Sequence, residues 1–218
     1  ENILYQGEFI FFLRNFIIKN SFEFKINGNG LIFIIMNIKI KDMFVVVVGF
    51  LEVNCYVLAS EKNSCVYVID PGADAEKIMD VVKKTKKNDV RILLTHGHVD
   101  HIGAVKVIME EFPGSMLYLH ENDYKLYMST ENALLPWIPA LKSPPKPKHE
   151  FIGSQFTVIH TPGHTRGSVC FYSEEDGILF SGDTIFAGDV GRTDLPGGNY
   201  SDLMNSIKKI LNLPGHIR

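Results

Sequence analysis

The sequence predicts a mixed α/β chain of the α+β kind, with sheets covered by helices, and three observations carry that prediction. Apolar runs at 43–49, 53–60 and 65–70 follow one another through short polar turns, which reads as antiparallel hairpins. From residue 74 onward, helical patterns alternate with further strands, so helices are expected to cover the sheets. Strands ending near 95, 161 and 181 are each followed by metal-ligating residue types, which is how an α/β enzyme assembles a site from loops.

The elements follow in order. Residues 43–49 (MFVVVVG) form a buried strand, and 53–60 and 65–70 pair across the turn 61–63. Asp70-Pro71-Gly72 stops the third strand, because proline lacks a donor and glycine accepts unusual backbone angles. Asp74 is expected to cap a helix with Ile78, Val81 and Val82 on one face. A strand at 90–95 feeds into His96, and a helix at 102–112 ends at Pro113-Gly114. A strand at 116–120, a helix at 121–128 and a proline-rich segment at 129–150 around Trp137 come next; a long loop of that kind suits a lid. Strands at 156–161, 168–173 and 178–181 precede a last helix over 199–211, apolar at Leu203, Ile207, Ile210 and Leu211.

Composition narrows the function. A chain of 218 residues suggests one domain, or at most two small ones. Its formal net charge of −3 offers no basic field, so nucleic-acid binding is not expected. No apolar run is long enough to span a membrane, and none is expected to insert in one. Three cysteines, Cys55, Cys65 and Cys170, form no CxxC pair, which points to a reducing compartment, the cytoplasm, and to buried free thiols. Residues 1–35, rich in Phe, Ile, Asn and Lys, read as an expression remnant or over-extended start, with the domain running over 36–218 from Met36. The competing reading is a β-hairpin turning at 28–30.

Residues 95–101 (THGHVDH) hold the strongest chemical signal: His96, His98, Asp100 and His101 directly after an apolar strand. In extended chain, His96 and His98 project to one side. Asp100 and His101 follow as the chain turns into a helix, so the cluster can serve two adjacent ions. His164 in residues 161–165 (TPGHT) and Asp183 after Gly182 repeat the pattern of strand, glycine and ligand.

These three segments resemble the metallo-β-lactamase superfamily. Residues 188–198 (GDVGRTDLPGG), 54–57 (NCYV) and 69–72 (IDPG) are similar to single-domain glyoxalase II-like hydrolases of that superfamily. The resemblance implies an αββα sandwich with ligands at one edge of two sheets. It implies one metal on His96, His98 and His164, a second on Asp100 and His101, and Asp183 bridging both. Imidazole and carboxylate donors suit one or two zinc ions, with iron or manganese as alternatives. Asp100 and Asp183 are the catalytic carboxylates on this reading. A pair of ions about 3.5–4 Å apart acidifies a shared water and polarises a carbonyl. The implied reaction is hydrolysis of a small-molecule thioester, of the acyl-glutathione kind, or of a related ester. Alternatives are a persulfide dioxygenase with one iron on His96, His164 and Asp183, and a truncated fold without catalysis.

The chain departs from the family pattern in places. Residues 213–216 (LPGH) mimic the family's further ligand, yet no strand fits between the last helix and His216. His216 is therefore not expected to ligate, and the sandwich is expected to lack its last strand and helix. True glyoxalase II binds glutathione through a C-terminal helical domain, so no residue within 1–218 is expected to confer glutathione specificity. Ala104 stands where the family favours glycine. His120, His149 and His160 read as ordinary strand and loop residues, and Lys83, Lys84, Lys86 and Lys87 as a solvated helix end. Arg192 and Asp194 either orient the site or tie their loop, and Asp70 either orients the site or makes a turn.

Overall fold

A computed structural model describes residues 23–26, 32–35, 40–151, 153 and 155–213. His216 and most of the first 39 residues lie outside the described residues. A seven-stranded sheet runs in the order β1-β2-β3-β4-β5-β6-β7. Its strands are β1 (Glu23–Ile26), β2 (Ile32–Ile35), β3 (Ile40–Val48), β4 (Val53–Ser60), β5 (Cys65–Ile69), β6 (Val90–Leu93) and β7 (Met116–Tyr118). Pairing is antiparallel from β1 through β5 and parallel from β5 to β7. The change falls where helix α1 (Ala75–Lys84) first crosses over, since parallel neighbours need such a connection. Within the 1–35 segment, β1 and β2 pair with each other and extend the sheet beyond β3.

The second sheet holds β8 (Thr157–His160), β9 (Val169–Ser173) and β10 (Ile178–Phe180) in the order β10-β9-β8, all antiparallel. It faces the first across a core of Leu58, Tyr67, Ile69 and Leu93 against Phe156, Val169, Phe171 and Phe180. The other face of the large sheet, with Val57, Val66, Val68 and Ile92, packs on Ile78 and Val82 of α1. Val105 and Ile108 of helix α3 (Val105–Glu111) complete that layer. All five residues of β5 are therefore buried, odd positions between the sheets and even ones under the helices. Helix α5 (Tyr200–Leu211) covers the second sheet through Ser206 Oγ to Pro162 O (2.7 Å) and Lys209 Nζ to His160 O (2.7 Å). The result is the expected αββα layering.

Tertiary contacts redraw several boundaries. The helix expected at 102–112 splits into α2 (Val99–Ile102) and α3, because Ala104 N donates to Pro71 O (2.9 Å) across the structure. The helix expected at 121–128 begins as a 3₁₀ turn, Glu121–Asp123, and continues as α4 (Tyr124–Tyr127). Asp74 holds the N-cap position of α1, but its side chain does not cap the helix: its backbone is left-handed (φ 51°), and its carboxylate accepts from Gly49 N (3.1 Å) and Lys77 Nζ (3.0 Å). Lys83 is not merely solvated, since it pairs with Glu111 of α3 (2.6 Å). A hairpin that periodicity passed over, β11 (Ile185–Phe186) with β12 (Asp189–Val190), follows the Asp183 turn. The three cysteines are free and buried. Among the described residues no helix is long and apolar enough to cross a membrane.

Candidate metal centre

The strand ends converge at one edge. Asp70, just past β5, donates its N–H to Leu93 O (3.0 Å), and Val169 N donates to Thr95 O (2.8 Å), joining the two sheets beside His96. His96, His98 and His164 offer nitrogen atoms that all lie within 4.8 Å of one another. His98 Nδ1 and His164 Nε2 are 2.9 Å apart. Asp183 bridges outward from this cluster: Oδ2 lies 3.5 Å from His164 Nε2 and Oδ1 lies 3.3 Å from His101 Nε2. Asp100 Oδ2 stands 3.7 Å from the same His101 nitrogen. All six ligand-type residues singled out in the sequence thus meet at one place.

The neighbours of each imidazole decide which nitrogen faces inward. Thr95 Oγ1 donates to Asp70 Oδ2 (2.6 Å), which leaves it free to accept from His96 Nδ1 (3.1 Å). His96 then carries its lone pair on Nε2, a buried atom with no hydrogen-bond partner. His164 Nδ1 donates to Arg192 O (2.8 Å), which assigns its lone pair to Nε2 in the same way. The lone pair of His96 Nε2, buried and without a protein donor, and that of His164 Nε2, met only by the neighbouring His98 imidazole, fit a divalent cation. Burial, together with the other imidazoles around it, holds His96 well below the ordinary histidine range. The same causes push His98 down to about 3. Burial opposes charge on His101, but Asp70 and Asp183 outweigh it and raise that residue.

Asp70, His96 and His101 also offer mutually close ligand atoms. The Asp70 carboxylate is already engaged, accepting from Thr95 N (2.8 Å) and Thr95 Oγ1 and lying 3.1 Å from His101 Nδ1. It orients the imidazoles rather than adding to the ligand set. Arg192 contributes its carbonyl, while its guanidinium makes a two-pronged ion pair with Asp194 (2.8 and 2.7 Å) on the surface. Its side chain ties the loop, and its backbone orients His164. His120 and His160 stack on each other (4.2 Å between ring centroids) outside the cluster, and His149 binds Leu119 O (3.0 Å). Trp137, 63% exposed, stacks on Phe50 (5.8 Å, 3°), itself 66% exposed.

Two residues that hold the metal loops escaped the sequence reading. Asn132 Nδ2 donates to Gly97 O (2.7 Å) and Oδ1 accepts from Val99 N (3.1 Å). Asp123, 1% exposed, accepts from Gly97 N (2.9 Å). Burial raises the Asp123 carboxyl, and its hydrogen bonds pull it partly back. Both lie in segments read as an ordinary helix and loop; a polar residue drawn into the core leaves no periodic mark.

Residues 48–218 match the family model described as the metallo-beta-lactamase superfamily. A probable metallo-hydrolase of Bacillus subtilis, YqgX, is 34% identical over 179 residues, covering 78% of this chain and 83% of its own. The hydroxyacylglutathione hydrolase GloC of Haemophilus influenzae is 35% identical over 171 residues, covering 73% and 80%. Among solved structures, TTHA1623 in a di-iron-bound form superimposes with a TM-score of 0.68 at 38% identity, covering 78% of this chain and 87% of that one.

Proposed function

Since this chain belongs to the metallo-beta-lactamase superfamily, we propose that it is a metal-dependent hydrolase of small thioesters, of the acyl-glutathione kind or related esters. The observation that carries the reading is the unpartnered, buried His96 Nε2 facing the imidazoles of His98 and His164. On this reading His96, His98 and His164 would hold one ion and Asp100 and His101 a second, with Asp183 close to both His164 and His101. The donor set suits zinc or iron. The bound ions supply an acidified water and a Lewis acid for the substrate carbonyl.

The remaining work falls to the chain. Asp183 and Asp100 orient the attacking water, and Asp100 takes up its proton. Burial raises the Asp100 carboxyl, which suits a group that accepts and returns a proton. The departing thiolate needs little acid assistance. Asp70 and the Arg192 carbonyl keep the His101 and His164 rings turned toward the site. Three buried free thiols favour a reducing compartment such as the cytoplasm.

The test is turnover of S-lactoylglutathione by protein reconstituted with zinc or iron, alongside His96→Ala and Asp183→Asn. Hydrolysis by the wild type, and loss of at least about a hundredfold in both variants, is expected if both residues serve the ion. Oxygen uptake with glutathione persulfide and no hydrolysis would instead establish a dioxygenase.

A further inference from the structure

Asp123 closes the 3₁₀ turn before α4, far in sequence from every ligand-type residue. Its two carboxylate oxygens nevertheless accept from three donors on two loops. Oδ2 takes Gly97 N (2.9 Å) and Thr165 Oγ1 (2.7 Å), and Oδ1 takes Gly167 N (2.6 Å). Gly97 lies between His96 and His98, while Thr165 follows His164. One buried carboxylate therefore ties the loop carrying two imidazoles to the loop carrying the third. The fit is close: a Cβ on Gly167 would stand 2.6 Å from Asp123 N and 2.7 Å from its Oδ1. Thr165 is held in turn by Ser168, whose Oγ lies 2.7 Å from Thr165 Oγ1 and accepts from Thr165 N (3.0 Å). Every partner of Asp123 here is a donor, so an ionised carboxylate satisfies all three and a neutral amide cannot.

We infer that Asp123 is a positioning residue that fixes the spacing between His96–His98 and His164 and thereby sets how tightly the cluster binds a divalent cation. This rests on reading the three imidazoles as a metal site. Without the tie, the two loops must be brought into register by the cation itself, at the expense of its affinity.

The test uses the full chain as wild type, Asp123→Asn and Thr165→Val. Zinc affinity is measured by competition with a chromophoric chelator, the cobalt(II) form by visible absorption, and the metal-free form by thermal melting. Asn keeps the size of Asp but must turn an amide N–H toward Gly167 N or toward Gly97 N. Zinc affinity of Asp123→Asn is expected to fall about 10–100-fold, with a changed cobalt spectrum. Thr165→Val, losing one of three bonds, should fall less in the same direction, and it decides the matter if Asp123→Asn does not fold. Wild-type affinity and spectrum in the folded variants would overturn the inference, whatever their melting temperatures, because the role is then stability alone. A wild type that binds neither zinc nor cobalt would instead overturn the metal reading beneath it.

Discussion

His96 and His98 are neutral in the fold and protonate freely in the unfolded chain below about pH 6.5. In that range the unfolded state binds more protons, so stability of the metal-free protein falls as pH falls. His101 is shifted the other way; well below pH 6.5 it is protonated in both states, and nearer that pH it opposes the slope slightly. Chemical denaturation of chelator-treated protein from pH 6.5 to 5 should show a loss of up to about 1.4 kcal/mol per pH unit for each of the two histidines. His98→Gln should reduce that slope by up to about 1.4 kcal/mol per pH unit. Asp194→Ala should leave zinc affinity unchanged in the chelator competition, since only the Arg192 carbonyl reaches His164. His96, His98, Asp100, His101, His164 and Asp183 were legible because short-range spacing after apolar strands brings them together. Asp70, Asp123 and Asn132 were legible in part or not at all. Their partners are Thr95, Gly167 and Gly97, each at least 25 positions away, and nothing local marks such a pairing.

At the scale of elements, apolar runs revealed the strands, because β4, β5 and β9 are buried on one or both faces. Helix boundaries were less legible, because long-range bonds set them, as when Pro71 O captures the Ala104 amide and divides α2 from α3. The last helix shows both sides. Asn199 caps α5 as a local signal would suggest, its Oδ1 accepting from Asp202 N (3.1 Å). Asn199→Ala should cost about 1 kcal/mol in a urea melt. The contact that docks α5 is not local: Gly163 (φ +141°) lies against Leu203, where an added Cβ would stand 2.3 Å from its Cα. Gly163→Ala should therefore destabilise more than loss of the cap, and should lower metal affinity as well by displacing the adjacent His164.

The whole molecule is two apolar layers sharing one large sheet, with the site at the edge where the sheets meet. Among the residues whose burial is described, the members of these layers begin at Val46, and every candidate ligand lies beyond it. We therefore propose that removing residues 1–35 leaves turnover and melting temperature unchanged; a loss of both would make β1 and β2 integral to the fold. A cation that binds the folded chain alone must also stabilise it. Zinc at 100 times its dissociation constant should add about 2.7 kcal/mol to the unfolding free energy, reversed by chelator. The layered architecture was readable from the alternation of strands and helices, whereas the division into two sheets was legible only through the family resemblance, since periodicity does not say which strands pair.

The lone indole of the chain, resting on Phe50 with most of its surface in water, has a practical use. Asn132, five positions before it, grips the backbone at Gly97 and Val99, on either side of His98. Emission from Trp137 therefore arises from a single chromophore joined through Asn132 to the loop that carries His96 and His98. Quenching or a spectral shift on adding metal or thioester would give a label-free optical titration, with no competing tryptophan to subtract.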